Sequence, residues 1–560
     1  MLFSVVLIAR NEEKTLPSLL ESLNEFKARG GKVLLCDTGS TDKTVEVAKS
    51  WGCEVKEVGE KFLIKIDNEL AGKVNSFFNT EVLKDGDRIF DFASARNYIT
   101  EFSPTNVVFS PDCDESYTKL DIDKINEAIK NGAEQLEYNF VFSHKADGTP
   151  AIKFRHCKAF DKRKLKWVNK VHEVLDGQAN RVFLDEDTIY LEHFQNHETN
   201  RTGYLRGLAL DVYENQANDR NSHYLGREFY WVGKYEAAIK ELERHLTISS
   251  WKAERGQSMI YIGSCYEMLG KPEKALEWWF KGYLEEPTRR EGLLAIADHY
   301  WRQNNHLQTA VFAEACLPIK GNLFYANDQR NYTIRPQELL YWACFWLGDK
   351  EKSKIYFDYC FEQEPYNEKF IHDSKFFYDF PKVSIVIPTY KRDTQPLLDS
   401  LAVDNYHGEK EIIVQKDETG EGCPKTFNKG VDKSIAELIV FLGDDTIVEK
   451  NWLNYAVLTY LKTGNLIALN DGRWHTDWNP KLASHFLAPK SLLKELDGKF
   501  LDERFKHYGC DDYLTYRVQK LNKLTYEHKA KIKETKMVDE TSEKAFKSLE
   551  EDKKLLKELI

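Results

Sequence analysis

Lys32-Val33-Leu34-Leu35-Cys36-Asp37-Thr38-Gly39-Ser40-Thr41-Asp42 is the stretch that decides the fold. Lys32–Cys36 reads as a buried strand that runs into a short acidic and hydroxyl-rich turn, and a helix is expected over Lys43–Trp51. Upstream, the apolar run Ser4–Ala9 reads as a first strand, followed by a helical stretch. Strands alternating with helices predict an α/β fold with a largely parallel sheet covered on both faces. Ligands in such sheets bind at the carboxyl ends of strands, which is where Asp37 falls.

Working outward, three textures appear along the chain. The strand and helix alternation extends over residues 1–200. Residues 201–372 are helical and repetitive. Gly226/Phe229/Gly233/Ala238 is followed by Gly263/Tyr266/Gly270/Ala275/Trp279/Pro287 at matching offsets, and Ala297/Tyr300/Asn304 and Tyr341/Cys344/Gly348/Phe357/Pro365 continue the pattern. A period near 34 residues, with small residues where paired helices touch, resembles the tetratricopeptide repeat. Such an array serves either as a concave binding face or as a spacer that buries its own aromatics. After a polar, aromatic linker at Asp373–Phe380, the first texture returns over residues 381–535. Apolar strands are expected at Lys382–Pro388, Glu411–Gln415 and Leu438–Leu442, the last two ending at Asp417 and at Asp444-Asp445. The charged tail, residues 536–560, reads as an exposed or coiled helix with little functional content.

A chain of 560 residues exceeds what one core supports. Its 42% hydrophobic and 30% charged residues exclude a disordered chain. The net charge of -11 argues against a protein that coats nucleic acid, and no nucleic-acid partner is expected. The ten cysteines are scattered, so reduced thiols in a cytoplasmic protein are expected. Met1–Arg10 reads as a strand rather than a signal peptide, and no run approaches the length of a membrane span.

A third strand, Val107–Ser110, precedes Asp112-Cys113-Asp114-Glu115. Two carboxylates one residue apart at a strand end can divide labour, one ligating a hard divalent cation and the other facing a ribose or a metal-bound water. Together, Ala9-Arg10-Asn11-Glu12-Glu13, Asp37–Asp42, Asp91-Phe92-Ala93-Ser94-Ala95-Arg96-Asn97 and Asp112–Glu115 resemble the successive signatures of family 2 glycosyltransferases. They resemble most the bacterial and phage branch that often carries tetratricopeptide repeats. The resemblance implies a GT-A fold, inversion at the anomeric carbon, a nucleotide-sugar donor (UDP-linked) and Mn2+ or Mg2+. It implies a carbohydrate, lipid-linked or protein acceptor, with a further protein partner through the repeats and a homo-oligomer both open.

Carried onto this chain, the resemblance places Asp37 at the nucleobase, Arg10 and Asn11 beside the donor, Asp112 near the ribose and Arg96 near the diphosphate. Asp114 becomes a metal ligand. Trp167–Glu173 resembles a segment ending in His-Glu, which makes Glu173 a candidate base or acceptor residue, and Leu191–Phe194 makes His193 a candidate third metal ligand. Residues 60–88 look longer than the family's usual spacing, as if inserted to shape or cover the acceptor site. The third region resembles the same family through Ser384–Tyr390, Phe441–Thr446 and Tyr508–Leu514. There Thr389, Asp417 and Asp444 are candidate donor contacts, Asp445 the candidate metal ligand, Asp512 the candidate base and Asp511 its orienting partner. Gly443 and Asp511 depart from the family pattern, which has Asp and Glu there. The overall expectation is a bifunctional inverting glycosyltransferase with two GT-A domains flanking the repeats. The alternative is a repeat-based scaffold with one active module.

Overall fold

The computed structural model describes the chain except residues 145–147, 149, 195–201, 322–327, 473–481 and 536–539. It divides into two compact units, Met1–Ser353 and Lys354–Ile560.

In the first unit β1 (Phe3–Ala9) lies between β2 (Val33–Asp37) and the later strand β6 (Val107–Phe109), parallel to both, with β3 (Glu54–Glu57) beyond β2. Phe3, Val5 and Leu7 enter one core, under helices Leu16–Ser22 and Ile122–Lys130. Val6 enters a second core on the opposite face, under helix Phe92–Glu101. Burial on both faces is why β1 reads as an unbroken apolar run. β4 (Leu63–Lys65) and β5 (Arg88–Phe90) form a separate ribbon. The large sheet continues through β7 (Glu115–Leu120), β8 (Gln135–His144) and β9 (Pro150–Asp161). β10 (Leu165–Val168) and β11 (Val174–Gly177) make a hairpin, and β12 (Arg181–Leu184) and β13 (Ile189–His193) complete the set.

The sheet order is β3-β2-β1-β6-β9-β8-β13-β7. The expectation of a largely parallel sheet holds for β3, β2, β1 and β6 and fails beyond, because β9 runs antiparallel to both β6 and β8. The chain returns there by direct reversal rather than through a helical crossover, and antiparallel pairing follows.

Residues 202–316 form seven successive helices, from Thr202–Glu214 to His306–Cys316. A methyl group added at Gly226 would stand 2.4 Å from Leu242 Cγ, and one at Gly263 would stand 2.5 Å from Trp279 Cδ1. These glycines are what allow the paired helices to approach. Residues 60–88 contain β4, the start of β5 and a helix. Their helix Asn68–Phe78 places Ala71, Val74 and Phe78 in one core with Leu208, Val212, Leu225 and Phe229 of the helical region. The insertion packs against the first helices of the helical region.

The second unit has β14 (Val383–Thr389), β15 (Lys410–Lys416), β16 (Leu438–Phe441), β17 (Thr446–Val448), β18 (Leu466–Asn470), β19 (Phe486–Pro489) and β20 (Leu524–Glu534). Their order, β15-β14-β16-β19-β18-β20-β17, and their relative directions match β2-β1-β6-β9-β8-β13-β7 strand for strand. The expected linker is packed, with Phe377 stacked 4.3 Å from Phe357. The tail corrects its expectation too. Helix Glu540–Leu559 lays Leu555, Leu556 and Leu559 against the core of this unit. Its Asp552, only 2% exposed, accepts from the backbone N–H groups of Lys506, His507 and Tyr508 at 2.9–3.0 Å. Leu spacing revealed the helix, whereas the buried carboxylate that docks it left no local signal.

Candidate active site

The carboxyl ends of β1, β2 and β6 carry most of the candidate residues of the first unit. Arg10 and Asn11 follow β1 directly and are exposed. Asn11 turns the chain at φ 59°, a left-handed conformation that asparagine tolerates. Its Oδ1 accepts from Thr41 N at 2.8 Å, Glu12 N donates to Thr44 Oγ1 at 2.7 Å, and Glu13 N donates to Asp42 Oδ2 at 3.1 Å. The loops after β1 and β2 are thereby stitched together. Asp37, at the end of β2, accepts from Gly39 N and Ser40 N, both at 3.2 Å.

After β6 the chain enters a charged cluster. Arg96, 3% exposed, donates from Nε to Glu173 at 2.8 Å, from Nη1 to Ser110 Oγ at 2.9 Å, and from Nη2 to Asp112. Lys158 on β9 bonds Asp112 and, at 2.6 Å, Glu115. Burial works against the charge of Asp112, but Lys158 and Arg96 outweigh it and hold its carboxyl well below the ordinary range. Glu115 is 2% exposed, and there burial wins over Lys158, so its carboxyl lies above the ordinary range. Arg96 thus ties together Asp112 and Glu173. Lys158 was missed. It lies 46 residues from Asp112, and nothing in its own strand marks it.

Asp114 faces His193 at the end of β13, with Nε2 3.0 Å from Oδ2, while His193 Nδ1 stands 3.1 Å from the Phe142 carbonyl oxygen. A carbonyl can only accept, so Nδ1 carries a proton. In neutral histidine Nε2 then presents a lone pair to a carboxylate, and the pair needs a proton or a cation between them. Burial would lower the pKa of His193, but the hydrogen bond to Asp114 and its charge outweigh burial and raise it. An imidazole and a carboxylate in this arrangement fit a divalent first-row cation.

Glu173 sits in the turn between β10 and β11 and is supported by the helical region. His172, at φ 51°, stacks on Tyr224 with ring centres 4.5 Å apart. Lys170 N donates to Asp211 at 2.8 Å, and Asn218 Nδ2 donates to Asn169 at 2.8 Å. The first repeat helices therefore form one wall of this corner.

In the second unit Asp417 ends β15 and accepts from Gly420 N, Glu421 N and Gly422 N at 2.6–3.0 Å. Arg392, missed although it follows Thr389 closely, engages Asp444 at 2.7 Å and Asp445 at 2.9 Å. Thr389 is buried beside it and donates to the Arg392 carbonyl. Asp511 and Asp512 open helix Cys510–Lys520, and Asp511 accepts from Ser484 Oγ at 2.6 Å.

Residues 4–64 match the family model for glycosyl transferase family 2. This segment runs from β1 through β4 and includes Arg10, Asn11 and Asp37. No curated protein matches the chain. Among solved structures, MamA is 15% identical, with a TM-score of 0.25, and the match covers 30% of this chain and 92% of that one. PilF of Pseudomonas aeruginosa is 15% identical over 31% of this chain and 71% of that one, TM-score 0.24. A tetratricopeptide repeat protein from Parabacteroides merdae is 17% identical over 32% of this chain and 65% of that one, TM-score 0.25. Among the described residues no helix is long and apolar enough to cross a membrane.

Proposed function

We propose that the first unit is an inverting GT-A glycosyltransferase that moves a sugar from a nucleoside diphosphate sugar, UDP-linked, to a carbohydrate, lipid-linked or protein acceptor. The observation that carries this reading is that Asp37 ends β2 and Asp112 and Asp114 follow β6, the two strands that flank β1, in a region that begins with the family 2 match. The ten free cysteines accord with work in a reducing cytoplasm.

In this reading Asp37 takes hydrogen bonds from the nucleobase, Asp112 faces the ribose, and Arg10 and Asn11 border the donor. Asp114 and His193 would hold Mn2+ or Mg2+, which when bound neutralises charge on the departing diphosphate. Arg96 is a positioning residue that fixes Asp112 and Glu173. Glu173 takes the proton of the acceptor hydroxyl as its oxygen bonds to the anomeric carbon and the bond to the diphosphate oxygen breaks. Attack opposite the leaving group inverts the centre. The second unit, with Asp417, Thr389, Asp444, Asp445, Asp511 and Asp512, performs a second transfer in the bifunctional version. The scaffold version, with one active unit, is favoured by Arg392 lying across Asp444 and Asp445.

A screen of nucleotide sugars for hydrolysis and transfer by the full chain tests the proposal. Asp114→Ala is expected to lower turnover of the first donor by about 100-fold or more. Full turnover of every donor by Asp114→Ala would sink it. Loss of a different product in Asp445→Ala supports two transfers, and an unchanged product set leaves the second unit without one.

A further inference from the structure

The second unit repeats the strand plan of the first but changes its charges position by position. One residue beyond the Phe109–Ala159 pair of β6 and β9 stand Ser110 and Lys158. One residue beyond the Phe441–Phe486 pair of β16 and β19 stand Leu442 and His485. His485 therefore occupies the place of the buried lysine. By the same register, with His193 opposite Glu115 and Glu534 opposite Thr446, Glu534 takes the place of His193 and Thr446 that of Glu115. Gly443 takes that of Asp112. A fixed ammonium has been replaced by an imidazole.

That imidazole is 5% exposed, and its Nδ1 has no hydrogen-bond partner among the described residues. Nδ1 stands 3.9 Å from Oδ2 of Asp471, beyond hydrogen-bond reach. Asp471 follows the end of β18, and Glu534 ends β20, the strand beside β18. One donor atom from each of Asp471, His485 and Glu534 lies within 4.8 Å of the others. Donors that each stand about 2.1 Å from one ion are separated by about 3.0–4.2 Å, so a small inward movement closes the set. The glycine supplies the room. A Cβ at Gly443 would lie 3.2 Å from His485 Nε2 and 2.9 Å from Asp445 Oδ1.

We infer that Asp471, His485 and Glu534 form a binding site for a divalent first-row transition metal, in place of the lysine that neutralises the equivalent corner of the first unit. Two carboxylates balance the charge of the ion, and three protein ligands leave positions open for oxygen atoms of water or of a bound substrate. The imidazole selects Mn2+, Fe2+ or Zn2+ over Mg2+ and Ca2+, which prefer oxygen alone. The site does not include Asp445, the ligand expected to hold metal in this unit, which is engaged by Arg392 at 2.9 Å. It does not depend on sugar transfer.

The test uses the full chain, stripped with EDTA, in an Asp114→Ala, His193→Ala background that silences the first unit's pair. Bound Mn2+ is counted from the loss of the free-ion electron paramagnetic resonance signal, and Zn2+ competition checks that the two share a site. One Mn2+ per chain is expected, held against a tenfold excess of Mg2+. His485→Ala and Glu534→Gln should each weaken it by about tenfold or more. Glu534 is partly exposed, so Glu534→Gln remains informative if His485→Ala fails to fold. Absence of Mn2+ binding in the background chain, equal affinity in all variants, or loss only in Asp445→Ala would overturn the site.

Discussion

The two units place acidic residues at the ends of two matching strands, β2 and β6 in the first and β15 and β16 in the second, and neutralise them differently. In the first, Arg96 and Lys158 lie buried among Asp112, Glu115 and Glu173. In the second, Arg392 covers Asp444 and Asp445 from a loop, and the place of the lysine holds an imidazole nitrogen without a hydrogen-bond partner among the described residues. One strand plan thus supports a corner with its cations built in and another that would take one from solution. What differs is which side chains the register delivers to the corner, and the backbone pairing stays the same.

Removing the arginines tests that contrast most strongly. Arg96→Ala leaves Glu173 and Ser110 without their buried partner and Asp112 with Lys158 alone, and should cost about 3–5 kcal/mol in urea unfolding. Arg392→Ala, at an arginine 10% exposed where Arg96 is 3% and with Asp444 and Asp445 as its carboxylate partners, should cost about 1–3 kcal/mol. Equal losses would erase the distinction. Next in size, Asp552→Ala removes the acceptor for three backbone N–H groups just before Asp511 and Asp512. It should cost about 1–3 kcal/mol, with Asp552→Asn losing less; an unchanged melting temperature would mean the tail helix is not docked as described.

A further variant concerns the wall that the helical region gives the first unit. Tyr224→Ala removes the stack on His172 and should cost about 0.5–1.5 kcal/mol. If the helices position the Glu173 turn, the KM for acceptor should rise while donor hydrolysis is retained. The effect that is smallest near neutral pH, and grows only as acid is added, is that of His156. Burial first, and then the charge of Lys158, push His156 down to about 3 from 6.5. Between those values the unfolded chain binds a proton that the folded chain does not, so stability falls as pH drops from about 6.5 toward 3. His156→Gln should flatten that slope in thermal unfolding at stepped pH, and an unchanged slope would assign it to other groups.

The strands at both unit starts were legible because each is buried on both faces and reads as an apolar run. Asp37, Asp112, Asp114 and His193 were legible as motif residues, since their loops are short and follow strand ends directly. Their partners were not. Lys158 reaches Asp112 across 46 residues and Arg96 reaches Glu173 across 77, so those pairings arise only when strands from distant segments align. Likewise the insertion at 60–88 carries helical spacing, but which surface it covers depends on the apolar faces it meets.

By itself, then, the sequence determined the core strands that open each α/β region, the acidic residues that follow several of them, and that small residues space paired helices, because these follow from local pattern and chain geometry. Tertiary structure alone decided which charge faces which, that a repeat helix braces Glu173, that the tail is docked through Asp552, and that His485 stands where the first unit has Lys158. Electrostatic partnership depends on distance in space, and sheet register sets that distance between residues that no local pattern connects.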